Sequence, residues 1–111
     1  MNCECFYIVK GGTIDAARDL ASRIIDVTER RGMELYAVCI SRVKQDFRAT
    51  SDYDNMGRLF NVPTGSWLVF VQGKYHNMFK IRPHGGKRGF PIISSGIYDC
   101  FDQYVEDIEA C

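Results

Sequence analysis

Apolar residues in the first third of the chain follow first the spacing of a strand and then that of a helix. Residues 3–9 are rich in strand-forming side chains and stop before a Gly-Gly pair, which predicts a first β-strand. Thr13 then supplies an N-cap and Gly32 a stop signal, so we predict a helix over residues 13–31. The apolar face of this helix is formed by Ile14, Ala17, Leu20, Ala21, Ile24 and Val27.

A second strand is predicted over residues 33–43, where apolar residues resume after the helix. A helix between two strands allows them to pair in parallel through a right-handed crossover, so the pattern predicts a βαβ unit. Residues 44–50 are mostly polar and predict a surface connection, while residues 52–59 predict a short helix.

Two further apolar runs lie on either side of a glycine in the second half of the chain. Residues 67–71 and 75–81 predict an antiparallel hairpin. Residues 82–89 contain three glycines and one proline, which predicts an exposed loop. A final helix is predicted to begin at Ser94 or Ser95, with an apolar face formed by Ile97, Phe101, Tyr104, Val105 and Ile108.

The tripeptide Val62-Pro63-Thr64 stands between the predicted short helix and the hairpin. With the order β, α, β, α, β, β, α, it resembles the thioredoxin-like superfamily over nearly the whole chain. The resemblance implies an α/β fold, βαβ-α-ββα, with a central four-stranded mixed sheet flanked by helices, in one domain over residues 1–111. It also implies a cis Pro63 beside the site, although the extra Gly65 and Ser66 leave an ordinary trans residue open.

Thioredoxin-like oxidoreductases carry a cysteine where the first strand meets the first helix, because the helix N-terminus stabilises a thiolate. Here that junction reads Gly11-Gly12-Thr13, without sulfur, so the usual thiol exchange has no nucleophile there. The resemblance therefore implies a redox-inactive member that acts as an interaction, inhibitor or adaptor module. Its expected contact surface joins this junction with Val62, Pro63, Thr64 and the loop at residues 82–89.

Charge is balanced overall but uneven along the chain. Lysines and arginines number 14, as do aspartates and glutamates, so no overall field recruits nucleic acid or a membrane surface. The loop nevertheless gathers Arg82, His84, Lys87 and Arg88, which we take as candidate partner-binding residues. A protein partner is the main expectation, and nucleic-acid binding through Arg82, Lys87 and Arg88 is an alternative. Lys10 before a helix N-terminus can also hold an anion, although a plain strand-to-helix turn explains it equally well.

Five cysteines without a regular framework predict that most are reduced thiols, and the short apolar runs together with the lack of a secretory-signal pattern predict a cytoplasmic location. Cys3 and Cys5 form the one close pair, so a thiol-disulfide oxidoreductase that uses them is a further alternative. His76 and His84 match no catalytic or zinc motif, and we predict no catalytic residue, metal or cofactor. The apolar runs fall far short of the roughly 20 residues that a membrane-spanning helix needs. The sequence leaves a homo-oligomer open.

Overall fold

A computed structural model describes residues 3–50, 59–92 and 101–111 of the chain. Within this part, the regular structure includes two sheets, two α-helices and a 3-10 turn at Met78–Lys80. The main sheet has the strand order β6-β1-β5-β2-β7, and every neighbouring pair is antiparallel. Its strands are β1 (Cys3–Ile8), β2 (Leu35–Val43), β5 (Trp67–Gly73), β6 (Phe90–Pro91) and β7 (Val105–Ala110). The second sheet pairs β3 (Phe47–Thr50) with β4 (Leu59–Val62), and the helices are α1 (Ile14–Arg30) and α2 (Phe101–Tyr104).

The helix α1 begins and ends where the sequence predicts, because its signals are local. The Thr13 side chain accepts a hydrogen bond from the Ala16 amide at 3.2 Å and so caps the first turn. Leu20 and Ile24 lie on the face that packs against the main sheet, and Ile24 is fully buried. Burying one such side chain stabilises the fold by about 1.5–3 kcal/mol.

The main sheet separates two apolar clusters, since successive side chains of a strand point to opposite faces. On β1, Cys5 and Tyr7 pack with α1, whereas Phe6 packs on the other face against the second sheet. On β5, Val69 likewise faces α1 and Leu68 faces the second sheet. The chain therefore folds in three layers: α1, the main sheet, and the β3–β4 pair with α2.

The predicted parallel pairing of the first two strands is wrong. β5 lies between β1 and β2 and pairs antiparallel with both. Since both edges of β5 are occupied, no edge remains for the predicted hairpin partner over residues 75–81. Met78–Lys80 forms a 3-10 turn instead, and the Tyr7 hydroxyl donates to the carbonyl oxygens of Met78 and Ile81 at 3.1 and 3.2 Å.

Residues 44–50 are not only the predicted surface connection, because β3 begins at Phe47. Phe47 and Ala49 are buried while Arg48 between them is exposed, which is the alternation of a strand with one buried face. The predicted short helix over residues 52–59 lies mostly outside the described residues, and its last position, Leu59, belongs to β4.

The predicted final helix is wrong over its second half. Residues 93–100, including its expected start, lie outside the described part of the chain, and α2 ends at Tyr104. Residues after Tyr104 form β7, which covers the outer edge of β2. The Ser41 hydroxyl donates to Asp107 at 3.1 Å and secures this pairing, while the Arg18 guanidinium on α1 donates to Glu109 at 2.8 and 2.9 Å and ties β7 to the helix. Edge pairing thus overrides the helical spacing of the apolar residues.

The fold class predicted from the sequence, a four-stranded mixed sheet flanked by helices, is therefore wrong. The described residues form a five-stranded sheet and a two-stranded sheet, both antiparallel, and show no thioredoxin-like arrangement. Over residues 3–50, 59–92 and 101–111, no helix is both long enough and apolar enough to cross a membrane.

Candidate functional site

A cleft of about 910 Å³ opens beside the outer edge of β1. Residues 82–89, which we call the basic loop, form one wall, and the first half of α1 forms another. Side chains of β1, β4 and β6 complete the lining. The lining residues are Tyr7, Ile8, Val9, Lys10, Ala16, Asp19, Leu20, Arg23, Phe60, His84, Gly85, Gly86, Lys87, Arg88 and Phe90.

The basic loop is irregular, as predicted, but it is held in one conformation. The Gly86 amide donates to the Pro83 carbonyl at 2.8 Å, and the two residues between them, His84 and Gly85, have φ values of +38° and +85°. Two positive φ angles in succession are typical of a type I′ turn. The His84 ring nitrogen Nε2 then lies 2.6 Å from Asp26 Oδ2 on α1, which ties the turn to the helix.

The far end of the basic loop is fixed against β1. The Gly89 amide donates to the Phe79 carbonyl at 2.6 Å. A Cβ atom at Gly89 would lie 3.0 Å from the Tyr7 ring and 3.1 Å from the Phe6 carbonyl oxygen, so only glycine allows this close approach. The loop is therefore an ordered wall, anchored to α1 at one end and to the sheet at the other.

The cleft is electropositive. Lys10, Lys87 and Arg88 line it, and no carboxylate within the described residues pairs with any of the three. Arg23 is bound to Asp19 at 3.0 Å, yet its buried Nε has no hydrogen-bond partner in the described part of the chain. An anionic group that entered the cleft would meet three cations that no described carboxylate neutralises.

Apolar side chains line the cleft between these charges. Ile8 is 39% exposed there although it belongs to a strand. Phe60 and Phe90 are partly buried, and their ring centroids lie 4.8 Å apart. Leu20 contributes from α1. A cleft that combines apolar walls with a few charged groups is the usual form of a binding site.

The structure brings together only part of the contact surface predicted from the sequence. His84, Lys87 and Arg88 line the cleft, whereas Arg82 is exposed and does not. Gly11, Gly12 and Thr13 do not line it either, although their neighbour Lys10 does. The Thr13 hydroxyl oxygen accepts a hydrogen bond from the Ala16 amide and so caps α1.

Val62, Pro63 and Thr64 do not line the cleft. Val62 is buried in the second apolar cluster, and the Val62–Pro63 bond is trans. The Thr64 hydroxyl and amide donate to Asp46 at 2.6 and 2.7 Å, which holds the pKa of that carboxyl below its ordinary value. The tripeptide therefore belongs to a turn fixed by Asp46.

The cysteine pair lies in the core. Cys3 and Cys5 are buried on the face of β1 that packs against α1. The hydrogen bond with Cys3, together with burial, raises the pKa of the Cys5 thiol well above its ordinary value. A protonated, buried thiol is a poor nucleophile. Within residues 3–50, 59–92 and 101–111, no three His, Cys, Asp or Glu side chains are grouped to hold a metal ion.

Sequence reasoning missed the half of the cleft that comes from other elements. In the sequence, the spacing of Leu20 indicates only a helix core position, and Arg23 carries no signal beyond its helical spacing from Asp19. Ile8 was an ordinary strand residue, and Phe60 lay in a region without a clear pattern. The sequence signals only the basic residues of the loop, which are neighbours along the chain, and Lys10, which precedes the N-terminus of the helix.

No protein-family model, curated protein or solved structure matches this chain. The function is therefore inferred from the chemistry of the cleft itself.

Proposed function

We propose that this protein is a non-catalytic binding module whose cleft takes an acidic segment of a protein partner. The observation that carries this proposal is the convergence of Lys10, Lys87 and Arg88, none of which has a paired carboxylate among the described residues, on a cleft with apolar walls. Carboxylates of a partner would supply the missing charge, and apolar side chains between them would contact Ile8 and Phe60.

The expected strength of this attraction follows from Coulomb's law. One charge pair at about 4 Å contributes about 1 kcal/mol in water and about 4 kcal/mol at the effective dielectric constant of a protein surface. The cleft residues Lys10 and Lys87 are exposed, so the lower part of that range applies. Several carboxylates acting together would then give a binding energy that falls as salt is added.

A nucleic acid fits the cleft less well than an acidic protein segment does. Nucleic-acid affinity comes mainly from many phosphate contacts, whereas this chain has no net positive charge and Arg82 lies outside the cleft. The thiol-exchange alternative is not favoured, since Cys5 is buried in the core and does not line the cleft. A reducing cytosolic compartment fits this proposal, because Cys39 and Cys111 are free thiols.

The proposal can be tested by selecting binders from a displayed library of random decapeptides on the purified protein. We expect enrichment of Asp and Glu among the selected sequences. The most enriched decapeptide, which we call the selected peptide, should lose at least tenfold in affinity when its acidic residues are replaced by amides. That loss corresponds to about 1.4 kcal/mol.

A pair of double variants locates the binding on the protein. The double variant Lys87→Gln with Arg88→Gln should bind the selected peptide at least tenfold more weakly than the wild type. Added salt should reduce this difference in affinity between variant and wild type. Lys44→Gln with Arg48→Gln removes the same charge from exposed positions outside the cleft and should change little. A selection without acidic enrichment would contradict the proposal. So would tighter binding of an oligothymidylate with the same number of charges, which would instead favour the nucleic-acid alternative.

A further inference from the structure

Among the described residues, only part of the outer edge of β1 is covered. β5 pairs with β1 along Cys3–Ile8, but on the other side β6 pairs only with Cys5 and Phe6. Beyond Phe6, no described strand lies against this edge. An open strand edge presents N–H and C=O groups that can pair with another chain.

The backbone groups of Ile8 point to this open edge. The Val9 amide donates to the Trp67 carbonyl at 3.0 Å, so Val9 directs its backbone groups toward β5. In an antiparallel pair the backbone N–H and C=O groups of successive residues point to opposite edges of the strand. Those of Phe6 and Ile8 therefore point away from β5, to the outer side. Pro91 fits this assignment. It has no N–H to donate, and it stands opposite Cys5, whose own backbone N–H and C=O point toward β5 and need no partner from β6. Within the described residues, the Ile8 amide and carbonyl make no hydrogen bond on that side.

The cleft gives an added strand room along this edge. Leu20 and Arg23 of α1 stand on one side of the main sheet, and Phe60 of β4 on the other. The slot between them runs beside residues 7–10, a length of about 13 Å in an extended chain. That is room for an extended segment of four or five residues.

Resting on the proposed function, we propose that the acidic partner segment binds as an added β-strand, paired with the Ile8 backbone on the outer edge of β1. Main-chain hydrogen bonds would give affinity, and carboxylates directed toward Lys87 and Arg88 would give specificity. The same charges disfavour a second copy of this chain as the occupant. In a symmetric pairing of two β1 edges, each copy would bring its own Lys10 to a cleft already lined by Lys87 and Arg88, where like charges repel.

Alternate N-methylation of the selected peptide tests this geometry. One set of alternate amides faces Ile8 in an added strand and the other faces away, so methylating one set should weaken binding at least tenfold. Methylating the other set should change binding less than threefold. A peptide held only through its side chains would show no such alternation, and that result would overturn the inference while leaving acid-dependent binding, and so the proposed function, intact.

Changes on the protein side give a second measurement. Ile8→Pro removes the outward N–H without removing a hydrogen bond to β5 and should abolish binding, whereas Ile8→Val should retain it. Should Ile8→Pro fail to fold, amide exchange in the wild type decides: the Ile8 amide should exchange at least tenfold more slowly with the selected peptide bound. Unchanged exchange at Ile8 under saturating peptide would overturn the inference, as would a dimer of the free protein that the peptide does not dissociate.

Discussion

Gly89→Ala should destabilise the protein through one close contact beside the cleft. The added Cβ would lie 3.0 Å from the Tyr7 ring carbons Cε1 and Cζ and 3.1 Å from the Phe6 carbonyl oxygen. Carbon atoms prefer about 3.5–4.0 Å. The Tyr7 ring cannot easily retreat, because it is buried and its hydroxyl is bonded to Met78 and Ile81. Overpacking of this kind costs about 1–3 kcal/mol.

The matched control is Gly12→Ala, where the new Cβ would contact nothing within 4 Å. Neither glycine has a left-handed φ, so both substitutions gain the same reduction in unfolded-state entropy, about 0.4–1 kcal/mol. The difference between the two variants therefore isolates the contact. With an unfolding entropy of about 2.1 cal/mol/K per residue, a chain of 111 residues loses about 4 °C per kcal/mol.

Thermal unfolding followed by circular dichroism should thus place the melting temperature of Gly89→Ala about 4–13 °C below that of Gly12→Ala. Combining the change with Tyr7→Val, which removes the ring, should reduce the difference. Equal melting temperatures for the two alanine variants would refute the reasoning, since they would show that the basic loop can move away from β1 at little cost.

Three further predictions concern the helix cap, pH and the thiols. Thr13→Ala should lower the free energy of unfolding by about 1 kcal/mol in urea titrations while Thr13→Ser preserves it, because the hydroxyl caps α1; equal stability of both would contradict the cap. The hydrogen bond from His84 lowers the pKa of Asp26, so its stabilisation is present above about pH 4 and is lost as pH falls through the folded-state pKa. The melting temperature of Asp26→Asn should therefore fall less than that of the wild type between pH 6 and pH 2. An equal fall in the two proteins would contradict a stabilising role for the ionised Asp26. Maleimide should label the exposed Cys111 before the buried Cys5, as peptide mapping by mass spectrometry would reveal; rapid labelling of native Cys5 would revive the thiol-exchange alternative.

The parts of the fold that the sequence predicts correctly are those with local signals. Thr13 and the apolar spacing of α1 lie within one stretch of chain, so the helix follows from them. Val105 and Ile108 have helical spacing as well, but the open edge of β2 recruits them into β7. Local pattern cannot reveal which strand edge awaits a partner, and the predicted helix fails there for that reason.

The residues of the candidate site likewise divide into those that have a local signal in the sequence and those that only the packing of the chain brings together. Lys87 and Arg88 are neighbours in the sequence and were found by their charge, whereas Arg23 and Phe60 reach the cleft only through the packing of α1 and β4. The fold class inferred from the element order together with Val62-Pro63-Thr64 is wrong, because neither an order of elements nor three residues determines which strands pair. In the structure these three residues close a turn bound to Asp46 instead of flanking a site.

The central position of β5 has a consequence for how the chain folds. β1, α1 and β2 precede it, yet β1 and β2 do not pair with each other, and each instead pairs with Trp67–Gly73, which lies between them. The first half of the chain therefore cannot close a sheet on its own, and its apolar strands remain exposed until the later strand arrives. Such long-range pairing slows folding and lengthens the interval in which aggregation competes. A substitution that weakens β5 would act twice, by destabilising the native sheet and by prolonging the exposure of its two neighbours.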